Sequence, residues 1–318
     1  MKFTATILAT VSFLVFCQSS FSQNKEIITI GTGSVNALAY PIMQSICQTY
    51  NKYNLSDKAT CLVVSTAGSE ENLEGIYSKK YSTGVIKADM AYNSYNGIGI
   101  FAGKPYRNLR SLFGLHNEYL TMIVGQNSGI NSLKDFKGKR IYIGNKGSGS
   151  RILVDKLFSE AGWKNGDFAE IHEEANDQIH DLFCGKKIDG AIYLIGHPNN
   201  IFKKTLSECG VKMISFSRKE IENYVDSFRH IYPAIIKRGT YNNQKQDIYT
   251  FASQLLLTTD SSLDEEIVYN FVKIIVDHYQ EIQQKTPSLK GTQLFSREVN
   301  AIPLHKGAVR FYNNFKSN

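Results

Sequence analysis

The sequence predicts an α/β protein made of two lobes. Apolar β-like runs alternate with helical patterns from residue 26 onward, which favours largely parallel sheets. A strand, a Gly/Ser loop and a helix also follow one another twice, at 27–50 and at 141–161. Ligands of open α/β sheets bind at the carboxyl ends of the strands, where such loops lie. We therefore expect each lobe to present one helix start to a common cleft.

Each predicted strand is a run of β-branched or apolar residues. The runs, in chain order, are EIITI, TCLVVST, SLFGLHNEYLTMIVG, RIYIG, GAIYLI, VKMISF and YTFASQLLLTT. Helices are predicted after the first two runs, in a short stretch beginning at Ser132, at 151–161, at 176–184 and near 199–208. A last, long helix is predicted in SSLDEEIVYNFVKIIVDHYQEIQ, because Ser, Asp and Glu precede its apolar positions as a cap.

The composition is that of a folded globular protein. The chain has 318 residues, 42% hydrophobic and 20% charged, which suffices for one or two domains with a sizeable core. The net charge is +7, and one of these charges is Lys2, near the N-terminus. The basic residues are scattered, so we expect no nucleic-acid partner. The modest excess either attracts small anions or serves only solubility.

The first 22 residues are typical of a secretory signal peptide. Lys2 precedes an apolar stretch from Phe3 to Phe16, and small residues surround a cleavage point near Ser22. This stretch is too short to favour a membrane span, and no later stretch has about 18 uninterrupted apolar residues. We therefore expect an exported, soluble mature chain that begins near Gln23.

Four cysteines remain after cleavage at this point. The pairs Cys47–Cys61 and Cys184–Cys209 would each stay within one half of the chain. Four cysteines allow three pairings, and buried free thiols are an equal alternative. No CxxC or Cys/His spacing predicts a metal site.

The segment IGNKGSGSRILV, residues 143–154, is typical of an anion-binding helix start. Such a start offers unpaired backbone N–H groups and the positive end of the helix dipole. A nucleotide fits poorly, because Ser150 and Arg151 stand where a phosphate loop needs Lys followed by Ser or Thr. In the loop from Gly31, Asn36 replaces the third glycine of a dinucleotide fingerprint. Backbone amides and hydroxyls remain, and they suit a carboxylate.

The sequence contains no recognisable catalytic motif. It has neither a GxSxG elbow nor an HExxH pair, and its seven histidines are dispersed. We therefore predict a binding protein rather than an enzyme, with no catalytic residue, no cofactor and no metal.

Six segments in this order resemble the TAXI family of solute-binding proteins of TRAP transporters. They are IGTGSVNALAYPI, STAGSEENLEGI, ADMAYNSYNG, LKDFKGKRIYIGNKGSGSR, IDGAIYLIGHPN and AIPLHKGAVRFY. Together they cover nearly the whole mature chain, from about Ile27 to Phe311. Their order and spacing are more specific than any one of them, above all Gly-x-Gly before Tyr-Pro and Pro-Leu-His-x-Gly-Ala near the end.

The resemblance implies a two-lobed periplasmic-binding-protein fold of type II. The crossing hinge strands are expected near Glu118–Gly125 and Tyr249–Thr258. Lobe 1 is expected to comprise residues 23–118 plus 252–318, and lobe 2 residues 119–251. The C-terminal segment with His305 and Gly307 is expected to tie the chain end back onto lobe 1 through packing and a turn.

The resemblance also implies the function. The protein is expected to be a periplasmic monomer that closes on a small organic acid such as glutamate or 2-oxoglutarate. It would deliver this carboxylate to the membrane permease subunits of a TRAP transporter, which use an ion gradient rather than ATP.

The family's binding loops map onto the Gly/Ser loops of both lobes. Tyr40 is expected behind the first loop, and Tyr193 is expected to pack on the ligand. The implied ligand-binding residues are Thr32, Gly33, Ser34, Tyr40, Ser65, Thr66, Ser69, Ser148, Gly149, Ser150 and Tyr193.

Lys87 is a further candidate, at a position where the chain departs from the family. The family commonly has Gln-Ser-Asp where this chain has Lys87, Ala88 and Asp89. A Lys87 side chain that points into the cleft adds a cation, and we then expect a ligand with at least one extra negative charge. A Lys87 side chain that faces solvent or pairs with Asp89 is the alternative. The family also commonly has glycine at Ala67 and an apolar residue at Glu70, so glutamate itself is not assigned.

Two other functional classes stay open from sequence. The same fold can serve as a ligand-sensing periplasmic protein that feeds a membrane receptor. An exported hydrolase, with a site assembled from distant residues, is a weaker alternative. A neighbouring permease gene favours transport, a neighbouring sensor kinase favours sensing, and hydrolytic turnover of a candidate ligand favours an enzyme.

Overall fold

The structure is a computed structural model that describes residues 26–55, 59–146, 148–286, 289 and 301–316. The predicted signal peptide at 1–22 lies outside these described residues. Within them, no helix combines the length and the apolar character that crossing a membrane requires.

Ten strands in the described residues form one mixed sheet. They are β1 (Glu26–Gly31), β2 (Ala59–Val64), β3 (Thr83–Lys87), β4 (Leu109–Gly125), β5 (Arg140–Tyr142), β6 (Glu170–His172), β7 (Gly190–Ile195), β8 (Val211–Ile214), β9 (Ile231–Ile236) and β10 (Ile248–Asp260). The predicted runs contain all of these strands except β3, β6 and β9. Those three lie in segments where the apolar alternation is short or interrupted by Gly, Pro or charge.

Helices connect these strands and cover the sheet. They are α1 (Ala39–Tyr53), α2 (Ser69–Tyr77), α3 (Ala88–Asn96), α4 (Gly149–Glu160), α5 (Ile179–Cys184), α6 (Asn200–Glu208), α7 (Arg218–Ser227), α8 (Glu265–Asp277), α9 (Tyr279–Lys285) and α10 (Lys306–Lys316). The single long helix predicted after residue 261 is wrong, because it breaks at His278, whose φ of −110° and ψ of 20° leave the helical range. The predicted acidic cap is confirmed: Asp264 accepts from the N–H groups of Glu266 and Ile267.

The sheet is less parallel than predicted. The strand order is β2-β1-β3-β10-β4-β7-β5-β6, with β8 on β4 and β9 on β10. The outer pairs β1–β2, β1–β3, β5–β6 and β5–β7 are parallel. The two long strands β4 and β10 run antiparallel to each other. Each is also antiparallel to its other neighbours, which are β7 and β8 for β4 and β3 and β9 for β10.

Both long strands change partners partway along their length. In β4, residues up to Tyr119 pair with β10, and Tyr119–Val124 pair with β7. In β10, Ile248–Ser253 pair with β9, and Leu255–Thr259 pair with β3. These are the crossing hinge strands expected from sequence. We therefore propose the division into lobe 1, residues 23–118 plus 252–318, and lobe 2, residues 119–251.

Apolar side chains pack on both faces of the sheet in each lobe. In lobe 1, α1 and α8 cover one face with residues such as Ile42 and Phe271, and α2 and α3 cover the other with residues such as Ile76. In lobe 2, one core contains Leu157 and another contains Phe183. The cleft lies between lobes that each have their own cores.

The C-terminal segment packs back onto lobe 1, which confirms that expectation. Ser111 donates its N–H to the carbonyl of Pro303 at 3.0 Å, and His305 donates to the carbonyl of Ser111 at 2.9 Å. Gly307 lies so close to α8 that a Cβ there would be 2.4 Å from the carbonyl oxygen of Glu265. Gly307 is therefore a residue that allows close packing against α8, as expected from the sequence.

Two disulfides join the sequence-local pairs Cys47–Cys61 and Cys184–Cys209. Of the pairings that the sequence left open, this is the one in which each bond stays within one half of the chain. The first bond ties α1 to β2, and the second ties the end of α5 to the residue that follows α6.

Candidate functional site

Three loops that each lead from a strand into a helix meet around one cavity of about 300 Å³. Lobe 1 supplies the loop after β1 and the loop after β2, and lobe 2 supplies the loop before α4. The lobes come close at these loops: a Cβ added to Gly68 would lie 3.7 Å from the Cα of Ser148. Gly33 and Gly149 therefore face the same hollow, as predicted for two helix starts that share one cleft.

The structure brings ten of the twelve predicted residues to this cavity. They are Thr32, Gly33, Ser34, Ser65, Thr66, Ser69, Lys87, Ser148, Gly149 and Ser150. Whether they bind a ligand remains a prediction. The lining that sequence reasoning missed includes Val85, Glu118, Asn145, Leu194 and Leu255.

Tyr40 and Tyr193 lie outside this lining. Tyr40 is half-buried on α1, one turn beyond the loop that it was expected to support. Tyr193 precedes Leu194 in β7, and successive side chains of a strand point to opposite faces. Tyr193 packs edge-on against Tyr142, with ring centroids 5.4 Å apart, and lines a small pocket beside the cavity. Tyr193 thus lines the small pocket and not the main cavity, and its packing on a ligand remains a prediction.

Most of the predicted hydroxyl groups donate their proton within the loops of the site, so this proton is not available to a ligand in the cavity. Thr32 Oγ1 donates to the carbonyl of Val64 at 2.9 Å, and Ser65 Oγ donates to the carbonyl of Gly33 at 3.0 Å. Ser148 Oγ donates to the carbonyl of Asn145 at 2.8 Å and caps α4 by accepting from the N–H of Arg151 at 3.1 Å.

Backbone N–H groups are a second set of donors at the cavity. The first-turn N–H groups of α2 and α4 have no acceptor within their own helices. In the described part of the chain, the N–H groups of Gly149 and Ser150 take no partner from the surrounding loops either. Both helices therefore direct unpaired donors and the positive end of their dipole at the cavity.

The Asn72 side chain connects the two lobe 1 loops through hydrogen bonds. Its side chain is fully buried on α2 and donates to the carbonyls of Thr32 at 2.7 Å and Val85 at 2.8 Å. It also accepts from Thr66 Oγ1 at 2.8 Å. One amide thus connects both lobe 1 loops and strand β3. The sequence signal for it is weak, a polar residue among the apolar positions of a helix.

Lys87 ends strand β3 and reaches into the cleft. Its side chain is 2% exposed, and its Nζ donates across the lobe boundary to the carbonyl of Gly149 at 2.9 Å. The Oδ1 atom of Asp89 lies 3.9 Å from the same Nζ. Both sequence alternatives therefore hold in part, since Lys87 lines the cavity and also faces Asp89.

Glu118 contributes an acid at the point where the strands cross. Its side chain is exposed only in part, and it lines both the main cavity and the small pocket. Burial raises the pKa of its carboxyl group, Lys87 lowers it and Asp89 raises it, and together they bring this pKa to about 7. The available sequence signal is a single acid within the apolar run of β4.

One other cluster carries metal-ligand residue types. His180, Cys184 and Cys209 lie within 4.8 Å of one another in lobe 2. The two sulfurs form a disulfide, so neither is available as the thiolate that a metal would need.

The fold is that of type II periplasmic binding proteins: two α/β lobes, two crossing strands and a cleft lined by loops of both lobes. The chain belongs to the NMT1-like family, whose model matches residues 30–314. This match spans the described parts of both lobes and includes every loop of the cleft.

Solved structures with the same fold share little sequence with this chain. PhnD1 from Prochlorococcus marinus, solved with methylphosphonate, has a TM-score of 0.55 and 10% identity, over 92% of this chain and 96% of its own. A putative L-cystine ABC transporter protein from Listeria monocytogenes has a TM-score of 0.52 and 12% identity, over 85% of this chain and 100% of its own. A protein from Bordetella bronchiseptica has a TM-score of 0.56 and 10% identity, over 92% of this chain and 98% of its own. At these identities the likeness establishes the fold alone.

Proposed function

We propose that this protein is an extracytoplasmic solute-binding protein that captures a small organic anion between its lobes and delivers it to a membrane permease. The observation that carries the proposal is the convergence of three Gly/Ser loops and Lys87, from both lobes, on one cavity. A volume of about 300 Å³ suits a metabolite of amino-acid or dicarboxylic-acid size.

A carboxylate is the anion that the donors suit best. Each carboxylate oxygen accepts two or more N–H bonds, and the helix starts at Ser69 and Gly149 supply such donors from opposite sides. Glutamate-like and 2-oxoglutarate-like acids are therefore the first candidates. The loop before α4 has Ser150 and Arg151 in place of the Lys and Ser or Thr of a phosphate loop, which argues against nucleotides.

Closure of the lobes is the expected response to the ligand. A ligand favours the closed form only through contacts that the open form cannot make. A carboxylate held by N–H groups of both α2 and α4 makes such contacts, and the Lys87–Gly149 bond adds one between the lobes themselves. Bending at β4 and β10 is the motion that this arrangement allows.

The membrane partner is proposed to be the permease of a TRAP transporter, in the periplasm and after removal of residues 1–22. The support is the resemblance of the six sequence segments to the TAXI family. The alternative is an ABC transporter, because the Listeria protein of the same fold carries that name. A neighbouring gene for a multi-span permease without an ATP-binding subunit supports the TRAP assignment, and an adjacent ATP-binding subunit contradicts it.

The test of solute binding is a thermal-shift screen of the mature protein against organic acids and amino acids. A ligand raises the melting temperature by mass action on the folded state, by an amount that grows with its concentration. Hits are then measured by calorimetry, which should give one site per chain. A screen in which no carboxylate shifts the melting temperature, at concentrations up to 10 mM, contradicts the proposal.

A further inference from the structure

The cluster of His180, Cys184 and Cys209 lies in lobe 2, where α5 meets the end of α6. His180 and Cys184 are one turn apart on α5, and Cys209 directly follows α6. The ligand atoms of the three side chains all lie within 4.8 Å of one another. None of the three residues lines the cavity between the lobes, so this cluster is independent of the proposed solute site.

The spacing of these atoms is close to that of a tetrahedral zinc site. His180 Nδ1 lies 3.5 Å from the Cys209 sulfur, and His180 Nε2 lies 3.9 Å from the Cys184 sulfur. Bonds from zinc of about 2.0–2.1 Å to nitrogen and about 2.3 Å to sulfur, at the tetrahedral angle, place these two ligands about 3.6 Å apart. Two thiolate ligands of one zinc ion lie about 3.8 Å apart, so the disulfide has to open before both sulfurs bind the same ion.

Glu208 offers an oxygen as the fourth ligand. It is the last residue of α6, and its Oε2 lies 3.6 Å from His180 Nε2. Lys204 lies 4.0 Å from the same oxygen, but both of these side chains are more than half exposed, and such ion pairs contribute little in water. The carboxylate is therefore able to leave Lys204 for a divalent cation. Two thiolates, an imidazole and a carboxylate form a ligand set that zinc accepts.

The Cys184–Cys209 bond is the more accessible of the two disulfides. Cys184 is exposed and Cys209 is half-buried. Cys47 and Cys61, by contrast, are 4% and 1% exposed. The rate of thiol–disulfide exchange depends on access to the sulfur, so a dithiol reductant reaches the lobe 2 bond first. The S–S bond then takes up two electrons and two protons from the dithiol, which becomes a disulfide itself.

We propose that this reduction turns the cluster into a site for one zinc ion, held by the two sulfurs, His180 and Glu208. Zinc binding releases the two thiol protons to solvent, because the thiolate is the form that binds a metal. The ion then connects α5 to the residue that follows α6, as the disulfide does in the oxidised protein. Lobe 2 thus keeps a cross-link at this point in both oxidation states.

The test starts with limited reduction of the folded protein by a trialkylphosphine, which offers zinc no thiolate of its own. The phosphine takes up the oxygen of one water molecule, and the two protons of that water go to the two sulfurs. After the phosphine is removed, thiol titration should give two thiols per chain. Alkylation and peptide mapping should assign them to Cys184 and Cys209. Added zinc should then bind at one ion per chain to the reduced protein and not to the oxidised protein.

Cobalt shows which atoms bind the metal. In the reduced protein, Co²⁺ should give the visible absorption bands of a tetrahedral site and the near-ultraviolet charge-transfer band of a cobalt–thiolate bond. Zinc should remove both signals, because it binds such sites more tightly than cobalt. Zinc should also raise the melting temperature of the reduced protein, since the ion binds the folded state.

Two variants test the ligands other than sulfur. His180→Ala keeps both thiols and should weaken zinc binding at least a hundredfold. Glu208→Gln should weaken it about tenfold. The matched control is Glu222→Gln on α7, because Glu222 is also an exposed acid in an i,i+4 pair, with Arg218, and it should bind zinc like the wild type. The melting temperature of each oxidised variant shows that it is folded.

Three results would overturn the zinc site. The first is a Cys184–Cys209 bond that stays closed in the folded protein, or thiols that appear at Cys47 and Cys61 instead. The second is a reduced protein with two free thiols that binds no zinc. The third is a His180→Ala variant that binds zinc as tightly as the wild type, because the thiols alone would then capture the ion.

Discussion

Lys87 of lobe 1 and Gly149 of lobe 2 meet across the cleft, where the lysine ammonium donates to the glycine carbonyl at 2.9 Å. These residues belong to the end of β3 and the first turn of α4. The contact therefore connects a strand end of one lobe with a helix start of the other, directly beside the proposed ligand. Lys87 lines the cavity, and we expect this contact to stabilise the closed form.

Lys87→Gln should weaken the binding of every carboxylate ligand about tenfold. The variant loses a charged donor to a carbonyl that becomes buried on closure, and such bonds contribute about 1.5–3 kcal/mol. Because Gly149 and Asp89 already engage the ammonium, monocarboxylates and dicarboxylates should lose affinity alike. Calorimetry at two ionic strengths checks this, with the exposed Lys134→Gln as control. A larger loss for dicarboxylates would show instead that Lys87 selects an extra negative charge.

Gly149→Ala should hold the lobes apart. A Cβ at this position would lie 2.6 Å from Cδ of Lys87 and 3.0 Å from Oγ of Ser69, both of which belong to lobe 1. Alanine favours the helix by about 1 kcal/mol relative to glycine, so lobe 2 itself should lose no stability. We expect an unchanged melting temperature and at least a tenfold loss of affinity.

The matched control for this variant is Gly166→Ala, where an added Cβ meets nothing within 4 Å. Small-angle scattering with saturating ligand should show compaction for the control and for the wild-type protein. Compaction of Gly149→Ala at the same ligand concentration would argue against this role of Gly149.

Asn72→Ala should lower both stability and affinity. The change leaves the carbonyls of Thr32 and Val85 and the hydroxyl of Thr66 without their partner in a buried setting, which costs about 2–4 kcal/mol. Urea unfolding measures the first effect and calorimetry the second. Asn223→Ala, an exposed change on α7, should alter neither. A stability loss with intact affinity would mean that the loops keep their shape without this amide.

Glu118 should make the ligand-free protein less stable as the pH rises. The raised pKa, about 7 against 4.5, means that the folded state holds this proton more tightly than the unfolded state. The protonated Glu118 carboxyl therefore makes its full contribution to the free energy of unfolding below pH 4.5. This contribution is lost between pH 4.5 and pH 7, and none of it remains above pH 7. One pKa unit corresponds to about 1.4 kcal/mol, and partial exposure reduces the effect, so we expect about 1–3 kcal/mol.

The measurement compares wild type with Glu118→Gln by urea unfolding at pH 4.5 and pH 8. The variant should gain stability relative to wild type at the higher pH, because glutamine has no charge to bury. Parallel pH profiles for the two proteins would contradict the raised pKa of Glu118.

Sequence alone was sufficient for the architecture of the cleft, because its elements carry local patterns. The Gly/Ser loops after β1, β2 and β5 stand at the strand ends, and the apolar runs around Glu118 and Ser253 are long enough to pass through both lobes. The positions of these loops at strand ends were therefore enough to predict that Gly33 and Gly149 line one cavity, although the sequence does not show how the lobes are placed.

The finer chemistry of the site depends on contacts that no local pattern encodes. Glu118 faces the cavity at the point where β4 changes partners. Asn72 connects three segments through hydrogen bonds of its side-chain amide, and these segments are distant in the sequence. The sequence does not show which face of β7 carries the Tyr193 side chain, because packing against Tyr142 decides it. The break at His278 has the same origin, since its ring stacks on Tyr53 at a centroid distance of 3.5 Å.

The two disulfides have a mechanical consequence for how this protein works. Cys47–Cys61 lies wholly in lobe 1 and Cys184–Cys209 wholly in lobe 2, and neither spans the crossing strands. Each disulfide therefore constrains one lobe, and neither disulfide restricts the proposed bending between the lobes. Under the proposed closure mechanism, oxidation therefore stabilises each lobe against unfolding without restricting the motion that captures the solute.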